Sequence, residues 1–199
     1  METTNQERTI LAFMGSPRKN GNSSTLAEQI LRGVKEEGIT TDAIHLQDLS
    51  VGPCRACYAC QKKGSSRCAI DDDMQSLYPR LISSEAWILA CPVYWFTMSA
   101  QMKLFMDRLF GLAAYGPEPF RRKKIAIAMT YGDSDPFNSG CVNALRTFQD
   151  AFRFTGSRIV GMVYGSALEP GDIEKNVSLM DDARKLGRKL ARQESPLAP

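Results

Sequence analysis

ILAFMGSPRKNGNSSTLAEQ (Ile10–Gln29) is the stretch on which the fold turns. Its first five residues, Ile10–Met14, are apolar without a break, as in a parallel strand covered on both faces. A loop of glycines, hydroxyls and an amide follows. Leu26, Ile30, Leu31 and Val34 then recur at helical spacing, and the pattern stops at Gly38. Strand, loop and helix in this order open a β-α-β unit.

The same alternation runs outward to the C-terminus. TDAIHL (Thr41–Leu46) alternates weakly and reads as a strand nearer an edge. DDDMQSLYPRLISS (Asp71–Ser84) reads as a helix with acidic residues at its positive end. Ala86–Trp95, Ile125–Met129 and Ile159–Gly165 read as strands. Helices are expected at Ser99–Ala114, around Cys141–Phe154 and at Glu174–Gln193, with methionine-rich Met98–Met106 as core or dimer surface. Five strands alternating with about five helices predict an α/β three-layer sandwich with a five-stranded parallel sheet. No composition break or repeat divides the 199 residues. One domain, 1–199, is expected, with a cysteine-loop insertion at 52–70 and frayed tails at about 1–8 and 193–199. In such sheets ligands bind beyond the carboxyl ends of the strands, where strand order reverses.

Hydrophobic residues make up 43% of the chain, which marks a globular protein, and no apolar run reaches a membrane span. METTNQERT at the start lacks the basic-then-apolar order of a signal peptide, so a cytoplasmic setting with reduced thiols is expected. A net charge of +3 is too mild to point to nucleic acid, and RRKK (Arg121–Lys124) reads as a solvated run before a strand. It also argues against a bare one-electron carrier, a class that is usually strongly acidic.

Backbone N–H groups and hydroxyls converging on a helix N-terminus suit a phosphate, and Ser16, Arg18, Asn22, Ser23 and Ser24 are the candidate donors. Five residues separate Gly15 from Gly21, and Asn22 stands where a nucleoside-triphosphate loop needs lysine. A monophosphate held by neutral donors fits better. The competing reading is a plain loop ahead of a capping box, TLAE (Thr25–Glu28). At the same end of the sheet, CPVYWF (Cys91–Phe96) closes a strand with Pro92, Val93 and three aromatics, Tyr94, Trp95 and Phe96. These either pack under the next helix or in a dimer contact, or receive a flat ring. The two loops together make flavin mononucleotide (FMN) the best single ligand.

PCRACYACQKKGSSRC (Pro53–Cys68) spaces Cys54, Cys57, Cys60 and Cys68 by two, two and seven residues. A tight triplet caps three irons of a cubane cluster, and a fourth ligand returns after the turn Gly64-Ser65-Ser66. Bacterial ferredoxins shorten the last gap and place Pro after the last Cys, where this chain has Ala69. Zinc prefers two separated pairs, a redox pair needs only two thiols, and plain thiols remain a reading. Arg55, Lys62, Lys63 and Arg67 would offset a cluster's negative charge. The loop leaves its strand at the ligand end, so a cluster is expected near a flavin of the same or a partner subunit. Cys91 reads as an inert buried thiol, and the helix start at Cys141 would lower that thiol's pKa. His45 reads as a packed or surface residue, Asp71–Asp73 as helix-opening acids, and Asp107 with Arg108 as a structural ion pair.

GSPRKNGNSST (Gly15–Thr25), PCRACYACQKKGSSRCAIDDDM (Pro53–Met74) and CPVYWFTMSAQMKLFMDR (Cys91–Arg108) resemble the NADPH-dependent FMN reductase family of flavodoxin-like proteins. Within it, the likeness is to iron–sulfur flavoproteins, over Ile10–Arg108 and by fold pattern beyond. The resemblance implies FMN, with its phosphate on Ser16–Ser24 and its ring against Pro92–Phe96. It brings Gly132 of TYGDSD (Thr130–Asp135) near the ring and a [4Fe-4S] cluster to the four cysteines. It also implies a homodimer or dimer of dimers, with flavin sites near the subunit interface. The expected activity is an FMN-dependent oxidoreductase passing electrons between a reduced donor, such as NAD(P)H or a ferredoxin, and a small-molecule or protein acceptor. No side-chain acid or base is required, so no catalytic residue is named. The alternatives are a cluster-free NAD(P)H:FMN or quinone reductase and a non-enzymatic electron carrier or redox sensor. No nucleic-acid or membrane partner is expected.

Overall fold

The computed structural model describes residues 8–65, 67–121 and 123–192. Ser66, Arg122 and the tails, apart from Arg8, lie outside the described residues. Arg8 is not frayed, because Nε and Nη2 donate to the Glu85 carboxylate at 2.6 and 3.0 Å.

In chain order the elements are β1 (Thr9–Met14), α1 (Asn22–Glu36), β2 (Thr40–His45), α2 (Met74–Ser83), β3 (Ala86–Tyr94) and β4 (Thr97–Met98). They continue with α3 (Ala100–Arg108), α4 (Glu118–Arg121), β5 (Lys124–Tyr131), α5 (Cys141–Thr155), β6 (Arg158–Ser166) and α6 (Val177–Ala191). Five strands pair in parallel in the order β2-β1-β3-β5-β6. The sixth, β4, pairs antiparallel with β3 over two residues, too few to show a period in the sequence.

Alternating residues of each strand feed opposite faces. Leu11 and Phe13 join a core with residues of α2, α3 and α5, including Met74, Leu77, Phe105 and Phe148. Ile10, Ala12 and Met14 join a second core with α1 and α6, including Leu26, Ile30, Leu186 and Leu190. Two cores on one buried sheet are the expected three layers.

Several local expectations change. α2 begins at Met74, three residues after Asp71: Asp72 and Asp73 precede the helix, where Asp72 Oδ1 accepts the Met74 N–H at 3.1 Å while Asp72 Oδ2 accepts the Gly52 N–H at 2.9 Å and Asp73 Oδ2 the Ser50 N–H at 2.6 Å. Met98 lies in β4 rather than in a helix, and Ser99 caps α3 by accepting the Met102 N–H. The basic run before β5 is not simply solvated. Lys123 is buried, with its ammonium donating to the carbonyls of Leu81, at 2.8 Å, and Ser84, where α2 ends. A cation there satisfies carbonyls that a helix C-terminus leaves open.

The α1–α6 contact is the tightest in the fold. A Cβ on Gly33 would stand 2.0 Å from Arg184 O, and one on Gly187 would stand 2.0 Å from Ile30 O. The two backbones touch, and only hydrogen fits between them. Gly187→Ala is therefore expected to cost about 2–3 kcal/mol by overpacking, read as a lower urea midpoint at unchanged slope. A change within about 0.5 kcal/mol would show that the helices do not meet there.

Candidate functional site

Gly15 ends β1 and ties it to its neighbour. Its N–H donates to Ala90 O at 2.7 Å, and its carbonyl accepts from Ser99 Oγ at 2.6 Å. A Cβ at Gly15 would stand 3.0 Å from the Cβ atoms of both Cys91 and Met102. The loop then turns back on itself. Buried Ser16 Oγ accepts the Arg18 N–H at 3.1 Å, and the Gly21 N–H donates to Arg18 O at 3.1 Å. Gly21 is the N-cap of α1, and no side chain caps that end. Thr25 lies inside the helix, so TLAE is not a capping box: the turn at Gly21 starts the helix earlier.

The first-turn N–H groups of α1 have no partners within the helix, and the dipole adds positive charge there. Ser23 is 1% exposed, and its Oγ is buried without a hydrogen-bond partner. An unmet buried hydroxyl costs about 1–3 kcal/mol. A bound anion would satisfy both the hydroxyl and the helix end. Ser24 is buried beside it, and Arg18 is exposed at the rim. The Asn22 amide is already engaged: Nδ2 donates to Glu169 O at 2.8 Å and Oδ1 accepts the Gly171 N–H at 3.0 Å. It joins α1 to the segment after β6, and its main-chain N–H is what it offers a ligand.

The aromatic loop is a two-residue hairpin between β3 and β4. Trp95 and Phe96 have φ of 48° and 64°, the handedness of a type I′ turn. Neither is glycine, and each such residue costs about 1–2 kcal/mol. The surroundings hold the turn in place. Phe96 O accepts from Asn143 Nδ2 at 3.2 Å, and Gly140, with φ of 78°, presses against Phe96 so closely that a Cβ would stand 2.4 Å from that oxygen. Tyr94, Trp95 and Phe96 are thus turned outward, Trp95 92% exposed, rather than packed under α3. Pro92 and Val93 stand half-buried just before them. Gly132 is exposed in the loop after β5, and Phe137 projects from the same loop. Loops after β1, β3 and β5 therefore neighbour one another at the strand carboxyl ends, beside the β1/β3 reversal of order.

The four cysteines of the insertion are free, and all four line one cavity of about 20 Å³. Cys54 and Cys57 are exposed, Cys68 is half-buried and Cys60 is buried. Ala56 and Tyr58, with φ of 49° and 55°, each sit between two of the triplet cysteines. Left-handed residues alternating with right-handed ones form backbone concavities that receive anions and iron–sulfur groups. Among the described residues, no group of three or more His, Cys, Asp or Glu stands in an arrangement that holds a metal ion. The sulfurs share a space without ligand geometry.

This cavity is not beside the flavin-type loops of the same chain. Its walls include Asp107, Arg108, Phe110 and Gly111, and none of them comes from the loops after β1, β3 or β5. α3 runs from Ser99, bonded to Gly15, to Arg108 at the cysteines, roughly 13 Å along the helix axis.

Asp107 and Arg108 do not pair with each other. Asp107 takes Lys103 Nζ at 2.6 Å, and buried Arg108 pairs with Asp72. Burial alone would raise the Asp72 carboxyl, but its hydrogen bonds from Arg108 and the Gly52 N–H outweigh this and hold its pKa below the usual range. Nothing local in the sequence couples residues 36 apart, so this pair was not legible there. Ser99, which joins Gly15 to α3, carried only a generic N-cap signal. The Cys141 thiol is not activated: burial pushes it up to about 11, and burial pushes the inert Cys91 up to about 12. His45 closes β2, half-buried, with its Nδ1 buried and without a hydrogen-bond partner.

Residues 8–162 match the family described as NADPH-dependent FMN reductase. An iron–sulfur flavoprotein of Methanocaldococcus jannaschii is 31% identical over 195 residues, spanning 92% of this chain and 95% of that protein. Another, from Methanosarcina thermophila, is 33% identical over 153 residues, 76% of each chain. The NAD(P)H:quinone oxidoreductase of Methanothermobacter marburgensis superposes with a TM-score of 0.72, over 95% of this chain and 100% of its own, at 18% identity, a likeness of fold. This chain belongs to the NADPH-dependent FMN reductase family and is a flavodoxin-like, FMN-dependent oxidoreductase.

Proposed function

We propose that this oxidoreductase passes electrons between a reduced donor, NAD(P)H or a ferredoxin-type protein, and a small-molecule or protein acceptor, using a [4Fe-4S] cluster on Cys54, Cys57, Cys60 and Cys68. The observation that carries this reading is the convergence of all four thiols on one cavity, in a loop with two left-handed non-glycine residues. The names of the two archaeal relatives point the same way.

Bound FMN takes up a hydride and gives electrons up singly, and a cluster carries single electrons. The chain's part is to bind and arrange. Ser16, Ser23, Ser24 and the main chain of Asn22 would hold the phosphate at the α1 N-terminus, with Arg18 adding charge at the rim. Pro92, Val93, Tyr94, Trp95 and Phe96 would flank the ring and exclude water, and Gly132 leaves room for it on the third loop. Exposed Arg55, Lys62, Lys63 and Arg67 offset the charge of a thiolate-ligated cluster. Because α3 separates the two sites in one chain, a homodimer or dimer of dimers would bring one copy's cysteine loop toward its partner's flavin. The reduced thiols suit a cytoplasmic setting, and no helix among the described residues is long and apolar enough to cross a membrane.

A second reading is a cluster-free NAD(P)H:FMN or quinone reductase. The absence of a preformed metal arrangement among the described residues favours it. Anaerobic purification with iron and sulfide assays separates the two. The cluster reading expects about four of each per chain and broad absorption under the flavin bands; flavin bands alone leave the plain reductase. Cys57→Ala is expected to remove the iron and keep FMN, whereas equal loss of both would make the loop a support for the flavin pocket. Ser23→Ala is expected to weaken FMN about tenfold, roughly 1.4 kcal/mol, in a fluorescence titration. Riboflavin, which lacks the phosphate, should bind the variant and the parent equally. Equal weakening of both ligands would move the phosphate away from Ser23.

A further inference from the structure

One side chain from another element meets both ends of the cysteine loop. Arg108, the last residue of α3, is 1% exposed. Its Nη1 donates to Gly52 O at 2.9 Å and to Asp72 Oδ2. Its Nη2 donates to Asp72 Oδ1 at 3.0 Å and to Cys68 Sγ at 3.6 Å. Asp72 Oδ2 also accepts the Gly52 N–H, so residues 52 and 72 are clasped twice. Gln75 Nε2 holds the second limb by donating to Cys68 O at 2.9 Å, and Tyr78 Oη fixes the end of α3 by donating to Arg108 O at 3.0 Å. Arg108 Nε is buried without a partner, on a guanidinium that walls the cysteine cavity.

The cysteine triplet and Cys68 lie on opposite limbs of this loop and face one cavity. We propose that Arg108 is a positioning residue for the cysteine site: it closes the neck between Gly52 and Asp72, sets Cys68 opposite the triplet, and biases a bound cluster toward its reduced form through a charged N–H on the Cys68 sulfur. The bias rests on the [4Fe-4S] reading; the neck closure does not. One electron entering the 2+ cluster leaves it 1+, with its thiolate shell one charge more negative and no proton moved. A fixed cation at hydrogen-bond range stabilises that state most. Lysine keeps the charge but lacks the planar fork that takes both Asp72 oxygens, Gly52 O and Cys68 Sγ at once.

The test compares the parent with Arg108→Lys and Arg108→Met as anaerobic, FMN-loaded proteins. Iron release to a chelator is expected about tenfold faster or more in both variants, and the cluster midpoint potential is expected to fall in Arg108→Met. Release at the parent rate in both would overturn neck closure, and a parent-like potential in Arg108→Met would overturn the bias. Flavin content and near-ultraviolet dichroism report folding; if Arg108→Met does not fold, Arg108→Lys decides neck closure and the uncharged Arg108→Gln decides the bias, a parent-like potential in it overturning the role of charge. Iodoacetamide labelling of Cys68 in metal-free protein is the arm that needs no cluster. Faster labelling in Arg108→Lys supports the latch, and equal labelling sinks it. A parent that holds neither iron nor sulfide refutes the cluster reading and the bias, and labelling then decides the latch on its own.

Discussion

The junction between β1 and β3 is the constraint on which the site depends. β1 has β2 on one side and β3 on the other, and the chain leaves for them in opposite directions, so a crevice opens where β1 ends. Gly15 occupies that point. Its two main-chain bonds, to Ala90 and Ser99, pull the end of β1 against β3 and α3, and a Cβ there would press on the Cys91 and Met102 side chains, which would have to give by a few tenths of an ångström. The uncapped end of α1 and the aromatic hairpin leave the strands held at that junction, and Gly140 of the loop after β5 packs against the hairpin at Phe96.

Backbone strain is concentrated where ligands would bind. Among the described residues, the non-glycine residues with positive φ are Ala56, Tyr58, Trp95 and Phe96. Two belong to the cysteine loop and two to the hairpin. Strained conformations persist only where the surrounding structure dictates them, and they gather at binding and catalytic sites. Of the unmet buried side-chain polar atoms among the described residues, Ser23 Oγ lies at the first site and Arg108 Nε at the second, while His45 Nδ1 lies at the end of β2, outside both. The sheet core, apolar on both faces, supplies the stability that such features spend.

α3 fixes the relation between the two sites. Its N-terminal cap, Ser99, also bonds Gly15 in the loop after β1, and its last residue, Arg108, bonds the cysteine loop. A short helix anchored by both ends is a stiff spacer. It keeps the sites apart within one chain, and this is the physical reason that a second copy enters the proposed electron path.

The sequence by itself determined the order of strands and helices, the parallel sheet, the loops that bear hydroxyls, aromatics and thiols, and through motif resemblance the family. These are local properties: an unbroken apolar run, a helical spacing or a cysteine interval is written within a few residues. It misplaced the start of α1 and of α2, because the turn at Gly21 begins α1 early and the bonds of Asp72 and Asp73 to Gly52 and Ser50 hold those residues ahead of α2. Only the tertiary structure decided that Trp95 and Phe96 face outward, that the Asn22 amide is engaged by the segment after β6, and that the cysteines lie at the far end of α3 from the loops after β1 and β3. It alone joined Asp72 to Arg108. Each of these rests on contacts between residues distant in the chain, and such contacts form only when the packed sheet brings their elements together.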